Sequence, residues 1–501
     1  MAPELNSSTE TAPETAPVET RDLEEFSQLL KQSFKPRTER AESEVVNAIS
    51  TLVREALADS TVIKEDVIDT IESIIAALDE KLSVQINEIL HAPEFQQIEG
   101  AWRGLHYLAF NSETDAMLKI RVMNVSKDEL YAHLRQYASA AWDQSPLFKK
   151  VYEEEFGQLG GHPYGCLIGD YHFSHRAKDV TLLRDLSKIA AAAHAPFVAG
   201  ADPTLMGMDT WTELSNPRDL SKVFDTPDYA AWRGLRDSDD TKYLGLCLPR
   251  VLARLPYGAK SEPVAEFAFE EETDGHKGEK YAWMNAAYAM ASNINRAYKE
   301  YGWCSRIRGV ESGGEVDNLP THTFPTDDGG VDLKCPTEIA ISDRREAELA
   351  KSGLMPLIHR KNTDRAAFIG AQSLIRPKAY QNNPEATASS NLAARLPYMF
   401  AVCRFAHYLK CMVRDKVGSY KEEAQLQRWL HNWIQDYVDG DPLNSSEETK
   451  CRRPLTGASI KIVPNEENPG YYTATFELRP HYQLEGMDIG LRLVSRLPAA
   501  Q

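Results

Sequence analysis

The strongest constraint on this chain is one long amphipathic stripe. Between Lys64 and Leu90 the residues Val67, Ile71, Ile74, Ile75, Leu78, Leu82, Ile86, Ile89 and Leu90 recur at helical spacing. Pro93 bounds the run. An apolar face this long needs a covering layer. The expected cover is the chain's own domain core. A coiled-coil seam is the alternative, but the steps along the stripe drift.

The rest of the chain is large enough to supply a core. It has 501 residues, of which 42% are hydrophobic and 26% charged. That balance excludes a wholly disordered chain and suggests more than one domain. Lys plus Arg is 56 against 74 for Asp plus Glu, a net charge of −18. So acidic a chain is a poor nucleic-acid binder and a poor ligand for an anionic membrane. No segment reaches the ~20 apolar residues of a spanning helix, so no membrane insertion is expected. The N-terminus lacks the basic and apolar regions of a secretory signal. The seven cysteines form no C-x-x-C pair and read as free thiols of a reducing cytoplasm.

Four regions are expected. Residues 1–20, rich in Glu, Thr, Ala and Pro, read as a disordered tail. Residues 21–60 form a helical arm. In it Asp22 caps a short helix whose Leu23, Phe26, Leu29, Leu30 and Phe34 share one face, Pro36 ends that helix, and a second helical pattern runs from Ser43 to Ala58. Residues 61–357 have mixed α/β texture. Ala116–Val125 and Tyr164–Ile168 read as strands, and Val180–Ala193 and Tyr281–Tyr301 as helices. Residues 260–280 read as a surface excursion and 309–330 as a long loop. Residues 358–501 begin with a strand at Ala366–Ile369 and a polar stretch at 377–390. Helices follow at Pro397–Arg414 and Lys421–Val438, then a linker at 439–450. Strands come last, at Ala458–Val463, Tyr471–Leu478 and Met487–Val494. In the final strand Met487, Ile489, Leu491 and Leu493 alternate with Asp488, Gly490 and Arg492, the period of a strand with one covered face.

Reactive constellations are not apparent. Gly157–Gly165 lacks the Gly-Lys-Ser/Thr ending of a phosphate loop, and Pro163 removes an N–H, so it reads as a tight turn. His162, Asp170, His172 and His175 crowd together, but in a strand running into a loop, without the Cys or carboxylate pattern of a zinc site. No G-x-S-x-G or H-E-x-x-H occurs. Ser342 with Asp343 and Glu346 reads as a helix start, with Arg344 and Arg345 either mating with acidic partners or held in surface ion pairs. No catalytic residue, cofactor or metal ligand is assigned. The pattern favours an assembly protein over an enzyme.

A set of motifs then carries a resemblance. They are Ala101-Trp102-Arg103-Gly104-Leu105, Phe156-Gly157-Gln158 through Gly169-Asp170-Tyr171, His194-Ala195-Pro196-Phe197, and Trp232-Arg233-Gly234-Leu235-Arg236 through Leu255-Pro256-Tyr257-Gly258. Others are Trp303-Cys304, Ser312-Gly313-Gly314, Pro336-Thr337-Glu338, Asp343-Arg344-Arg345-Glu346, Leu396-Pro397-Tyr398-Met399 with Ala406-His407-Tyr408, Arg453-Pro454-Leu455, and Asn468-Pro469-Gly470-Tyr471 through Leu478-Arg479-Pro480-His481. With these the chain, from about residue 23 to Leu497, closely resembles the large sheath subunit of the bacterial type VI secretion system, the TssC/VipB family.

The resemblance implies a mixed α/β contractile tail-sheath fold with a disordered N-terminal arm and a C-terminal β ribbon. It implies a cytoplasmic structural protein of a Gram-negative bacterium. Its partners would be a small sheath subunit of the TssB/VipA family, further copies of itself, an inner Hcp tube, a baseplate and the ClpV unfoldase. Leu23, Phe26, Leu29 and Leu30 would be the ClpV handle. Met487, Asp488, Ile489, Gly490, Leu491 and Arg492 would be a strand-addition ribbon. A sheath of another phage-like contractile system is the first alternative, and a soluble hydrolase with dispersed catalytic residues the second.

Overall fold

The computed structural model describes residues 67–216, 219–326, 328–381, 383–415, 423–464, 472–481 and 483. Two sequence-derived sites, Leu23–Leu30 and Met487–Arg492, lie outside these residues, as do the helical pattern at 43–58 and the strand at 487–494. The chain divides into two compact units.

The first unit joins the N-terminal region up to Phe95 with residues 256–273. Its helix α1 spans Val67–Leu90 and contains no Gly or Pro. Asn87 fastens the returning segment to it: its Nδ2 donates to Glu270 O at 3.3 Å, and its Oδ1 accepts from Glu272 N at 2.8 Å. The acidic run is used internally, since Glu270 accepts from Ala259 N and Glu271 from Tyr257 N. Phe269 and Glu271 are buried. Residues 260–280 are therefore not a simple surface excursion, because backbone N–H groups recruit those carboxylates.

The second unit holds the main sheet. Helix α2 (Pro93–Phe110) leads toward it. Strand β1 (Leu167–Phe173), helix α3 (Ala177–Ala193) and strand β2 (Phe197–Ala201) form a βαβ unit. Strand β3 (Leu244–Leu248) follows, then the short pair β4 (Val251–Leu252) and β5 (Trp283–Met284). Helix α4 (Ala286–Tyr301) precedes β6 (Glu315–Val316), the pair β7 (Thr323–Pro325) and β8 (Val331–Leu333), then β9 (Met355–His359) and β10 (Ala366–Phe368). Helices α5 (Leu396–Asp415) and α6 (Glu423–Gln435) lead to the hairpin β11 (Leu455–Pro464) and β12 (Tyr472–Pro480).

The sheet order is β1-β2-β3-β9-β10-β6. β1, β2, β3 and β9 run parallel, and β10 pairs antiparallel with β9 and β6. Every residue of β2 and β3 is buried, as expected of strands covered on both faces. The strand period sorts them: Phe197, Ala199, Leu244 and Leu246 join the core under α3, while Val198 and Cys247 join the core under α4. A third core gathers Trp303, Phe405, Leu409, Leu430, Ile434, Ile460 and Ile462, with Trp429 and Trp433 against it. The mixed α/β reading holds.

Several local expectations change. Ala116–Val125 forms no strand. Asp115 Oδ1 takes the N–H groups of Met117 and Leu118, which a ladder would have needed. The strand expected at Tyr164–Ile168 starts at Leu167, where β2 first offers a partner. The helix expected from Tyr281 starts at Ala286, because Asn285 caps it and Trp283–Met284 pair as β5. The loop at 309–330 contains β6 and β7. The polar stretch 377–390 hides a helix, Pro384–Ala393, capped by Asn383 with Pro384 at its first turn. The linker 439–450 runs into the helix Glu447–Arg452, capped by Ser446. Helix Asp343–Lys351 does start after Ser342, but that side chain makes no capping hydrogen bond. Arg344 and Arg345 pair with Glu348 on their own helix. All seven cysteines are free.

Candidate assembly surface

The largest departure from the sequence-derived picture concerns α1. None of its described side chains is fully buried. Ile75, Leu82 and Ile89 are 47%, 45% and 56% exposed, and successive members lie one heptad apart. Leu78 and Ile86 lie beside them, half-buried. The stripe is therefore not the core it was expected to be. Its exposed line has the seven-residue repeat of a coiled-coil seam, and the earlier drift belongs to residues off that line.

Helix α2 shows how the Ala101–Leu105 motif is divided. Gly100 and Gly104 face inward. A Cβ at Gly100 would stand 2.2 Å from Trp283 O, and one at Gly104 2.3 Å from the Tyr288 ring. Glu99 accepts from the Arg254 Nε at 2.6 Å, a buried pair linking α2 to the segment after β4. Trp102 points the other way and is 69% exposed.

Other motif residues prove to be structural. Trp232 is fully buried, and Arg236 donates to Leu374 O at 2.9 Å. The buried His407 donates from Nε2 to Ala193 O at 2.8 Å, tying α5 to the end of α3. Burial lowers its pKa to about 4, so the ring is neutral near pH 7. Of the crowded histidines, His172 is half-buried with its pKa lowered to about 4 by desolvation, and His175 Nδ1 bonds Thr204 O. Burial raises the Asp170 carboxyl pKa above its usual value. Among the described residues no three His, Cys, Asp or Glu side chains converge as a metal site.

The hairpin β11–β12 is the described part of the C-terminal ribbon. Nine register pairs run from Leu455↔Pro480 to Pro464↔Tyr472. Ile460 and Ile462 are buried, while Ser459, Lys461 and Val463 are exposed. Among the described residues β12 pairs only with β11 and keeps an open edge, whereas β11 is engaged further: Leu455 also bridges Val438, and Ile460 O accepts from the Gln427 side chain. Past β12 the chain is clamped at Gln483. Its N–H donates to Tyr398 OH at 3.0 Å and its Nε2 to Ser305 O at 2.9 Å, and its Oε1 accepts from the buried Arg308 at 2.8 Å.

Residues 72–375 match the tail sheath N-terminal domain described as EvpB/VC_A0108, and residues 385–497 match the tail sheath gpW/gp25-like domain of the same description. The chain is thus a structural subunit of a contractile tail sheath. The type VI secretion system sheath protein TssC1 of Pseudomonas aeruginosa PAO1 is 64% identical over 482 residues, covering 96% of this chain and 97% of that protein. The chain belongs to the VipB family of type VI secretion sheath proteins. Two solved structures bear a distant likeness. The anti-feeding prophage baseplate is 10% identical at a TM-score of 0.35, over 63% of this chain and 66% of that one. The contracted anti-feeding prophage sheath is 12% identical at a TM-score of 0.26, over 63% and 75%.

Proposed function

We propose that this chain is the large sheath subunit that pairs with a small subunit of the TssB/VipA family. Heterodimers and further copies of the chain polymerise around an Hcp tube above a baseplate, in the cytoplasm of a Gram-negative bacterium. Contraction drives the tube outward, and the chain itself performs no catalytic step. The observation that carries the pairing is the heptad line Ile75, Leu82 and Ile89, left open on α1. Such a line suits a helix of the partner. The test is co-expression with the neighbouring small-subunit gene, followed by negative-stain electron microscopy. Tubules are expected from the pair, and aggregated protein from the chain alone. A clean monomer with a cooperative melt in the absence of the small subunit contradicts this reading.

Two further contacts complete the proposal. The arm at 21–60 presents Leu23, Phe26, Leu29 and Leu30 to a groove of ClpV, so that spent sheath is recycled. Leu29→Asp with Leu30→Asp should leave assembly intact and abolish capture of ClpV. Unchanged binding would move the handle elsewhere. Met487, Asp488, Ile489, Gly490, Leu491 and Arg492 extend the ribbon beyond the Gln483 clamp and add strands between neighbours. Backbone pairing suits this task because it holds subunits together while linkers pivot.

A further inference from the structure

The outward side of α2 has no part in the pairing through α1. Ile98, Trp102 and Phe110 on it are 58%, 69% and 78% exposed. With His106 they stand four residues apart, so the four run down one side of the helix over about 18 Å. The His106 and Phe110 rings stack with centroids 4.1 Å apart and planes at 23°, so an exposed ring is already held in place. From Gln97 to Phe110 the exposed residues of α2 include no Asp, Glu, Lys or Arg. The helix cannot turn this side inward. Gly100 and Gly104 seat its other side against Trp283 O and the Tyr288 ring, Glu99 is paired with Arg254, and Gln96 Nε2 donates to Glu279 O at 2.9 Å.

We propose that this face is a contact between copies of the chain in the sheath lattice, with Ile98, Trp102 and Phe110 docking on a second copy. Charge and area both point to that occupant. The chain carries a net charge of −18, so copies repel one another wherever their carboxylates meet. A stripe clear of charge lets two such copies touch without apposing like charges, whereas a basic partner would call for an acidic face. Aromatic side chains present about 150–250 Å² each, so the exposed parts of the three residues amount to roughly 400 Å². A stable pair in solution needs about 800 Å² from each partner. The stripe is too small to hold a lasting one-to-one complex. It suits a weak contact that is repeated at every subunit of a polymer. This contact rests on the reading of the chain as a sheath subunit that polymerises, and it adds the surface used.

The experiment uses the full chain co-expressed with its small subunit, in two versions that differ only in their affinity tags. Trp102 is replaced by the photo-crosslinker p-benzoylphenylalanine, the assembly is irradiated, and the product is mapped by peptide mass spectrometry. A covalent product carrying both tags is expected. A product joined to the small subunit, or to residues 1–66 of the same chain, overturns the proposal, and so does the absence of any product.

Trp102→Ala with Phe110→Ala checks the contact without a probe. Both side chains face solvent and alanine favours the helix, so capture of the small subunit and the melt of the heterodimer should be unchanged. The yield of tubules by negative-stain electron microscopy should fall at least tenfold. An unchanged yield overturns the proposal, as does loss of small-subunit capture, which would assign the face to that partner. The unaltered pair is run alongside. Tubules from it that the double variant matches remove this contact alone, whereas no tubules from it remove the polymerising sheath and this contact with it.

Discussion

Ile75→Asp together with Leu82→Asp should abolish capture of the small subunit while leaving the fold of the chain intact. Both side chains are nearly half exposed before any partner arrives, so aspartate there removes no packing from the described core. In a helical pairing both become buried. Losing two aliphatic anchors costs about 3–6 kcal/mol. That is a loss of roughly 10²-fold or more in affinity. Two carboxylates without partners in the seam add to the loss. The measurement is co-expression pull-down on the tagged small subunit. Glu80→Ala with Glu88→Ala, exposed on the same helix, is the control that should retain capture. Leu82→Ile should retain it as well. Capture by the aspartate double variant at native affinity would remove α1 from the interface.

Gly100→Ala should destabilise the sheath domain despite favouring the helix. Glycine to alanine inside a helix ordinarily gains about 1 kcal/mol. Here the new methyl would sit 2.2 Å from Trp283 O, and that oxygen belongs to the backbone of β5, which cannot swing aside. Overpacking of this kind costs about 1–3 kcal/mol or more, so the clash wins. The melting temperature of the purified heterodimer should fall by several degrees. Adding Gly104→Ala, which drives a methyl into the Tyr288 ring, should leave little soluble protein. Trp102→Ala, between the two glycines but facing out, should not lower the melt. An unchanged melt for Gly100→Ala would mean that α2 and β5 part more easily than their contact implies.

These two expectations rest on different kinds of signal. The motif Ala101–Leu105 was legible as a resemblance, but its letters did not say which residues face inward. Gly104 is fixed by a ring from α4 and Gly100 by a carbonyl of β5, each far away in sequence. Likewise His407 was visible in Ala406-His407-Tyr408, while its partner, Ala193 O, lies at the end of another helix.

Periodicity and punctuation by themselves determined the class of structure. The helical repeat gave α1 and the shared face of α6, apolar runs gave α3, α5, β11 and β12, and the two-residue repeat was read only at Met487–Val494, outside the described residues. These signals are local, because a residue's neighbours along one element are set by backbone geometry alone. Tertiary structure decided which faces are covered. The α1 stripe looked the same as a core stripe, since sequence records that a face is apolar and not what lies against it. Ala116–Val125 had strand composition, but a strand exists only with a ladder partner, and Asp115 had already taken its N–H groups. The helices Pro384–Ala393 and Glu447–Arg452 were hidden by polar composition and are set by the caps Asn383 and Ser446. Burial, pairing and capping compete for the same backbone and side-chain groups, and that competition is settled only when distant segments meet.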